Sequence, residues 1–253
     1  MKTWIRTLAF GSMMALGAGA CDDAGTEPDL IDEAALRADV ALVAADGVFE
    51  DLSVMLAPTF LSMAGAGPDL VSYGGEGNYT FSKDVTFFAD DGTEQEKYDA
   101  LLTASINVVW SIERSREHTF WSAEIERNRD MTITGLLGEE TERTWNGEAD
   151  ADVFRSRHND ERTRTYDMEM EATHNDVVRG VPRADNPWPL SGTIARDIHV
   201  IVMEGDEVIG ERDISAIVTF NGTQFVIMNV DGDEFEIDLA DRGVKNKMQR
   251  RGG

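Results

Sequence analysis

The fold is decided by one central stretch, Trp145 to Thr173, with the sequence WNGEADADVFRSRHNDERTRTYDMEMEAT. Two runs of alternating apolar and polar residues flank the segment His158-Asn159-Asp160-Glu161, whose residue types tolerate turn conformations. Alternation at every second residue is typical of a strand with one buried face. The stretch therefore predicts a long β-hairpin with two chemically different faces.

One face of this hairpin is predicted to be buried. If Arg157 pairs with Arg162, small residues on the first strand lie opposite large residues on the second. The candidate apolar face consists of Ala149, Ala151, Tyr166, Met168 and Met170. Flexible methionines beside alanines can fill a closed core, or they can line an adaptable trough for an apolar ligand. We expect the closed core, and the trough is the alternative.

The other face of the hairpin carries a ladder of acids. In the same register its carboxylates are directly opposed in three pairs, which are Glu148 with Glu171, Asp150 with Glu169, and Asp152 with Asp167. Like charges in direct opposition cost up to about 1 kcal/mol per pair. Solvent, arginines of a neighbouring strand or a bound cation must offset this repulsion. We expect a solvated face and assign no metal ligands.

Four arginines lie close to the predicted turn on the core side of the hairpin: Arg155, Arg157, Arg162 and Arg164. Guanidinium groups form strong charge-assisted hydrogen bonds to carboxylates and other anions. This end of the hairpin is therefore predicted to have an acidic segment or an anion beside it.

The first 20 residues predict an export signal. Lys2 and Arg6 give a short basic start, and an apolar run from Leu8 to Ala18 follows that is too short to span a bilayer as a mature helix. Small residues occupy positions 18–20, directly before Cys21, the only cysteine of the chain. A lone cysteine cannot form an internal disulfide, so an exported chain needs another use for it.

The segment that ends at Cys21 resembles the lipobox of bacterial lipoproteins, in which leucine is usual at the position of Ala18. The resemblance implies cleavage before Cys21, a diacylglyceryl lipid on its sulfur, and an anchor in the inner or outer membrane of the cell envelope. The alternative is a plainly secreted protein that is cleaved at the same bond.

The charge balance of the chain disfavours two classes of partner. Its 253 residues include 48 acidic and 23 basic side chains, for a net charge of −25. Such a chain repels nucleic acid and anionic lipid headgroups. We therefore expect no nucleic-acid binding, and membrane attachment through the acyl lipid rather than through a basic patch.

The mature chain is predicted to form a single domain over residues 29–241. Before it, residues 21–28 are acidic and poor in large apolar side chains, as in a flexible tether. After it, residues 242–253 are basic and unpatterned, which predicts a flexible tail.

Two helices are predicted at the start of this domain. Asp29 or Asp32 can cap the first helix, which is expected to end at Asp46-Gly47, and the second helix runs from Val48 to Leu56. Neither can bury its apolar residues alone, so both are expected to pack on one face of a sheet.

From residue 78 onward, apolar residues recur at every second position. This pattern predicts one large antiparallel sheet, a meander that can curl into a half-barrel. Strong hairpin turns are expected at Asn221-Gly222 and Asp231-Gly232. They place Val218 opposite Phe225 and Met228 opposite Phe235. The strand Thr223 to Val230 is apolar on both faces, so it is expected to be a central strand covered on both sides. Trp188 is expected to anchor a proline-rich loop.

No catalytic or phosphate-binding motif is present in the chain. His158 and His174 both precede Asn-Asp and are interpreted as turn residues at opposite ends of the hairpin, too far apart to share a metal. We therefore expect a non-catalytic binding or scaffolding domain with a protein partner. The abundance of carboxylates leaves an envelope hydrolase as one alternative.

A second alternative is a carrier of an apolar ligand. The order of helices followed by a long meander is similar in outline to the lipoprotein carriers of the outer-membrane sorting pathway, which bind acyl chains in a curved sheet covered by helices. That resemblance implies an acyl ligand on the face that carries Met168 and Met170.

Overall fold

The structure is a computed structural model that describes residues 31–56, 79–118, 121–158 and 163–246. Within these ranges it contains one helix, α1 (Glu33–Leu56), and eleven strands. The strands are β1 (Tyr79–Ala89), β2 (Glu94–Gln95), β3 (Thr103–His118), β4 (Trp121–Thr134), β5 (Glu142–His158), β6 (Thr163–Gly180), β7 (Pro189–Glu204), β8 (Glu207–Thr219), β9 (Phe225–Val230), β10 (Asp233–Asp238) and β11 (Gly243–Asn246).

All eleven of these strands belong to a single antiparallel sheet in the order β11-β10-β9-β8-β7-β6-β5-β4-β3-β1-β2. Each strand from β3 to β10 pairs with the next strand along the chain. Only β1 departs from this order, because it lies between β2 and β3. The predicted fold class, mainly β with one large antiparallel meander, is confirmed. The sheet is open, with β2 and β11 at its edges.

Helix α1 packs on one face of the sheet, and the sheet curves around it. Glu50 of the helix lies 4.0 Å from Arg114 on β3, whereas Ser53, less than one turn further along, accepts a hydrogen bond at 3.0 Å from Arg242, which directly precedes β11. A helix is only about 10–12 Å wide, so strands this far apart in a sheet reach one helix only if the sheet curves. The core fills the space between them, with Val40, Ala44 and Val48 of the helix buried against the strands.

The helix is continuous, so the prediction of two helices with a break at Asp46-Gly47 was wrong. Its cap is Asp32, whose Oδ1 accepts hydrogen bonds from the backbone N–H groups of Ala34 and Ala35 at 3.1 Å. A glycine inside a helix costs about 1 kcal/mol relative to alanine, which is why a break was expected. Here Gly47 is buried against the side chain of Arg196 on β7, and this packing favours the helix over a turn.

The predicted hairpin exists as β5 and β6, with a register two residues away from the predicted one. Arg157 pairs with Arg164 instead of Arg162, and Ala151 therefore lies opposite Met170. Because the shift is even, every side chain keeps the face that the sequence predicted. The turn between the strands, residues 159–162, lies outside the described residues.

The register after β8 also differs from the prediction. Val218 pairs with Met228 rather than Phe225, because the connection at residues 220–224 is longer than a two-residue turn. Strand β9 is covered on one face only, and Phe225 is 47% exposed, so the expectation of a central strand covered on both sides was wrong. The predicted pairing of Met228 with Phe235 on β10 is confirmed.

Two peripheral segments complete the fold. Trp188, in the loop between β6 and β7, packs against the core as expected. Four residues of the predicted flexible tail, Gly243–Asn246, form β11 and pair with β10. Beside this strand, Arg242 donates a hydrogen bond to Ser53 of α1 at 3.0 Å.

Candidate functional site

The candidate apolar face of the hairpin lies directly beneath α1. Met168 is completely buried, and Tyr166 and Met170 are nearly so. Ala149 and Ala151 line a cavity of only about 10 Å³ between the helix and the sheet. In the described part of the chain this face is therefore a closed core, and it forms no open trough for an apolar ligand.

Three arginines of β4 and β7 lie inside this core, although arginine is rarely buried completely. Arg127, Arg129 and Arg196 are only 1%, 4% and 5% exposed. On one side each of them has an alanine as its cross-strand neighbour, in the pairs Arg127 with Ala151, Arg129 with Ala149, and Arg196 with Ala172. The small side chains leave the space that the guanidinium groups occupy.

Helix α1 supplies the carboxylates that bind these arginines. Asp51 is completely buried, and its Oδ1 accepts a hydrogen bond from Arg129 Nε at 2.6 Å. Its Oδ2 accepts a hydrogen bond from Arg196 Nη2 at 2.9 Å and lies 3.1 Å from His174 Nε2. Glu50, the preceding residue, accepts a hydrogen bond from Arg127. We call these residues, with Arg114 beside Glu50, the buried charge network.

The ionisation of the network follows from its contacts. Burial by itself raises the pKa of Asp51, but Arg129, His174 and Arg196 outweigh burial and hold that pKa well below its ordinary value of 3.8. Burial also raises the pKa of Glu50, and the nearby arginines, Arg127 above all, again lower it on balance. Both carboxylates are therefore charged at neutral pH. Burial lowers the pKa of Arg196 to about 10, at which it keeps its charge.

A third carboxylate of α1 meets the arginine-rich end of the hairpin. Asp39 accepts hydrogen bonds from Arg157 Nη1 at 3.0 Å and from the Tyr166 hydroxyl at 2.8 Å. Burial and this bond to Asp39 raise the pKa of Tyr166 to about 12. The predicted acidic neighbour of these arginines is thus confirmed for Arg157. Arg155 instead lies over the ring of Trp121, 5.8 Å from its centre, and Arg162 lies outside the described residues.

His174 was wrongly predicted to be a turn residue. It lies within β6, at the alternate position after Met170 and Ala172, and its side chain is buried against Asp51. Strand β6 continues past the Asn-Asp pair through an irregularity between Asn175 and Val178, so the local turn signal did not end the strand. The side chain of His158 lies outside the described residues.

Sequence reasoning did not single out the arginines of the buried charge network, although the signal was present. Arg127 and Arg129 follow Ala123 and Ile125 at every second position, so the strand period places them on the core face. Arg196 lies between Ile194 and Ile198 in the same way. An arginine at the apolar phase of a strand indicates a buried acidic partner.

The opposite face of the sheet is acidic and open to solvent. One row of side chains crosses β3 to β8, each directly opposite the next, and we call it the acidic row: Glu113, Glu126, Asp152, Glu169, His199 and Asp213. Within the described parts of these strands, no lysine or arginine occupies an outward position. Charge is therefore segregated, with carboxylates outside and guanidinium groups inside.

The ladder predicted from the hairpin lies on this outer face, and all six of its acids are exposed. The corrected register changes the oppositions to Asp152 with Glu169 and Asp150 with Glu171, while Glu148 faces Thr173. Asn128 donates a hydrogen bond to Asp150 at 2.8 Å, which offsets part of the repulsion there.

Two depressions of about 610 and 400 Å³ open on the outer face, and Asp152 lines both. In the larger depression His199 Nδ1 lies 2.8 Å from Asp213, and this hydrogen bond raises the pKa of His199 above its ordinary value of 6.5. Among the described residues, no group of three or more His, Cys, Asp or Glu side chains is arranged to hold a metal ion.

Comparison with known proteins adds no relative, since no family model, curated protein or solved structure matches the chain. Among the residues that the structure describes, no helix combines the length and the apolar character that crossing a bilayer requires.

Proposed function

We propose that this chain is a lipoprotein of the bacterial envelope, acylated at Cys21, whose domain is a non-catalytic binding module for a basic protein partner. The observation that carries the proposal is the segregation of charge across the sheet. The outward positions of β3 to β8 hold acids without a lysine or arginine among their described residues. The arginines of the same strands are bound to carboxylates of α1 or packed on the inner face.

The acidic row supports a partner that is extended and positively charged. Its six residues lie on six adjacent strands, and strands are spaced about 4.8 Å apart, so the row is about 24 Å long. A single-sign surface of this length steers an oppositely charged partner and fixes its orientation. The exposed ring of Phe154, beside Asp167, adds an apolar contact on which a cationic side chain can lie.

The closed interior supports a surface-binding role over a carrier role. The space between α1 and the hairpin is about 10 Å³, whereas ligand pockets for small molecules are typically about 300–1,000 Å³. The hydrolase alternative stays a prediction, and a screen of the purified protein on glycan and ester substrates tests it.

The proposed anchor has its own experiment. Residues 22–30 join Cys21 to the described domain, and nine residues span at most about 32 Å, so an acylated chain keeps the domain close to the membrane. Replacement Cys21→Ser should abolish labelling with a fatty-acid analogue and should move the protein from the membrane fraction to the soluble fraction. Membrane retention of the unlabelled variant would contradict the anchor.

The binding proposal is tested with a short synthetic peptide in which lysine and serine alternate, measured by calorimetry at physiological salt. The row variant carries Glu126→Gln, Asp152→Asn, Glu169→Gln and Asp213→Asn. We expect it to lose at least about fourfold in affinity, because four exposed ion pairs contribute roughly 0.2–1 kcal/mol each.

A matched variant removes the same charge from exposed positions away from the row, by Asp90→Asn, Glu139→Gln, Glu207→Gln and Asp241→Asn. It should bind the peptide nearly as well as the unchanged protein. Equal losses in the two variants would show that net charge alone attracts the peptide, and they would overturn the row as a binding surface.

A further inference from the structure

The cavity beneath α1 has the size of a single small occupant. Its volume of about 10 Å³ is close to that of one water-sized sphere. Phosphate, sulfate and carboxylates are too large for it. The lining joins three guanidinium-bearing side chains to small residues of the helix and strands: Arg127, Arg129, Arg196, Gly47, Ala149 and Ala151.

The charges around this cavity are not balanced within the described residues. Three guanidinium groups line the cavity, those of Arg127, Arg129 and Arg196, and they bind only two buried carboxylates, those of Glu50 and Asp51. Asp150 borders the cavity from β5, but its side chain is exposed on the outer face. Uncompensated positive charge is unfavourable in a buried site, because water cannot solvate it.

Two of the arginines that line the cavity each have a buried donor atom without an acceptor, which indicates the kind of group that fits. Arg129 Nη1 and Arg196 Nη1 are buried, and neither has a hydrogen-bond acceptor among the described residues. Both arginines also bind Asp51, so that carboxylate holds their guanidinium groups in place beside the cavity. Fixed, unpartnered donors on two cations favour an acceptor that carries negative charge.

We propose that this cavity is a halide site, in which chloride accepts hydrogen bonds from Arg129 and Arg196 beneath α1. A water molecule could accept the same bonds, but it would leave the excess charge in place. A monatomic anion fits the volume, supplies the acceptor and reduces the charge imbalance by one unit. The ion acts as a structural ligand that holds the helix on the sheet.

The experiment compares thermal unfolding in sodium chloride and in sodium gluconate at equal sodium concentration, because gluconate is too large to enter. Chloride should raise the melting temperature saturably, by about 3 °C or more, as expected for a ligand of the folded state. Bromide should act like chloride. Crystals grown in bromide should show an anomalous peak in contact with the guanidinium groups of Arg129 and Arg196.

A cavity-filling variant separates this site from general salt effects. Ala151→Val adds two methyl groups to the cavity lining and keeps every charge, so it should abolish the difference between chloride and gluconate. Ala195→Val is the control, because Ala195 lies on the same sheet but outside the cavity lining, and it should keep the difference.

Three results would overturn the halide site. They are equal melting temperatures in the two salts, a chloride effect that survives in Ala151→Val, and bromide crystals without an anomalous peak at the cavity. The diffraction experiment uses the unchanged protein, so it decides the question even if the valine variant does not fold.

Discussion

A Cβ atom on Gly47 of α1 would lie 3.0 Å from Arg196 Nη2 on β7. The backbone of the helix and the guanidinium group of the strand are therefore in direct contact. Because the same Arg196 side chain is bound to Asp51, one turn further along the helix, it has little freedom to move away. Glycine at this position leaves room for Arg196 of the buried charge network, and it does not end the helix.

We predict that Gly47→Ala destabilises the protein, although alanine is favoured over glycine by about 1 kcal/mol inside a helix. Overpacking of a buried site costs about 1–3 kcal/mol and should outweigh that gain. Denaturant unfolding measures the net change. Asp46→Ala, at an exposed position of the same helix, is the control and should be neutral or slightly stabilising. A stabilised Gly47→Ala protein would show that Arg196 moves aside freely.

Asp51→Asn should destabilise the protein by about 3–5 kcal/mol at neutral pH, because it leaves Arg129 and Arg196 buried without their counter-charge. Asp46→Asn removes a carboxylate from the exposed side of the helix, and it should change stability by less than about 0.5 kcal/mol. Similar effects of the two substitutions in urea unfolding would contradict a structural role for the network.

The pH dependence of stability should also identify Asp51. Its pKa in the folded protein lies below its ordinary value of 3.8, so its contribution is complete above about pH 4 and is lost as the pH falls further. One proton corresponds to a slope of about 1.4 kcal/mol per pH unit. Below pH 3.8, we expect the slope of the unfolding free energy against pH to be smaller in the Asp51→Asn protein by up to that amount. An unchanged slope would mean that Asp51 does not titrate with unfolding.

Asp152→Asn should stabilise the protein by about 0.2–1 kcal/mol at low salt, because Asp152 lies directly between Glu126 and Glu169 in the acidic row. The gain should shrink as salt is added, since screening weakens the repulsion. Asp206→Asn, in the exposed turn between β7 and β8, is the matched control and should show no gain. Destabilisation by Asp152→Asn would instead indicate that the carboxylate is bound to a cation.

His199 should titrate above pH 6.5, because its hydrogen bond with Asp213 favours the protonated ring. Nuclear magnetic resonance follows the ring signals directly. Asp213→Asn should lower the pKa of His199, and Glu211 and Glu169 should keep part of the upward shift. Asp241→Asn, near the end of the sheet, should leave it unchanged. An unchanged pKa of His199 in the Asp213→Asn protein would contradict the pairing.

Most of what could be predicted about the fold came from the alternation of apolar and polar residues along the strands. Alternation placed Met168 and Met170 on the buried face and Asp150 on the exposed face, and both assignments hold even though the hairpin register is two residues away. An even shift preserves faces, so a face is easier to predict than a partner. Partners depend on turn lengths, which the residue types at 158–161 and 221–222 do not determine alone.

The buried charge network could not be predicted from local sequence patterns. Gly47 and His174 both carry strong local signals for turns, yet each lies inside a regular element because of a contact with a distant part of the chain. Local propensities of about 1 kcal/mol are smaller than the cost of leaving a buried charge unpaired. The long-range ion pairs therefore override the short-range preferences.

The network also has a consequence for the order of folding. Asp51 is joined to Arg129 and Arg196, which follow it by 78 and 145 residues. The sheet, by contrast, grows mainly by hairpins between consecutive strands, whose loop closures carry a low entropic cost. We expect the hairpins to form first and the helix to dock last. Helix α1 would thus remain undocked, with its acids still solvated, until β4 and β7 have brought Arg129 and Arg196 into place.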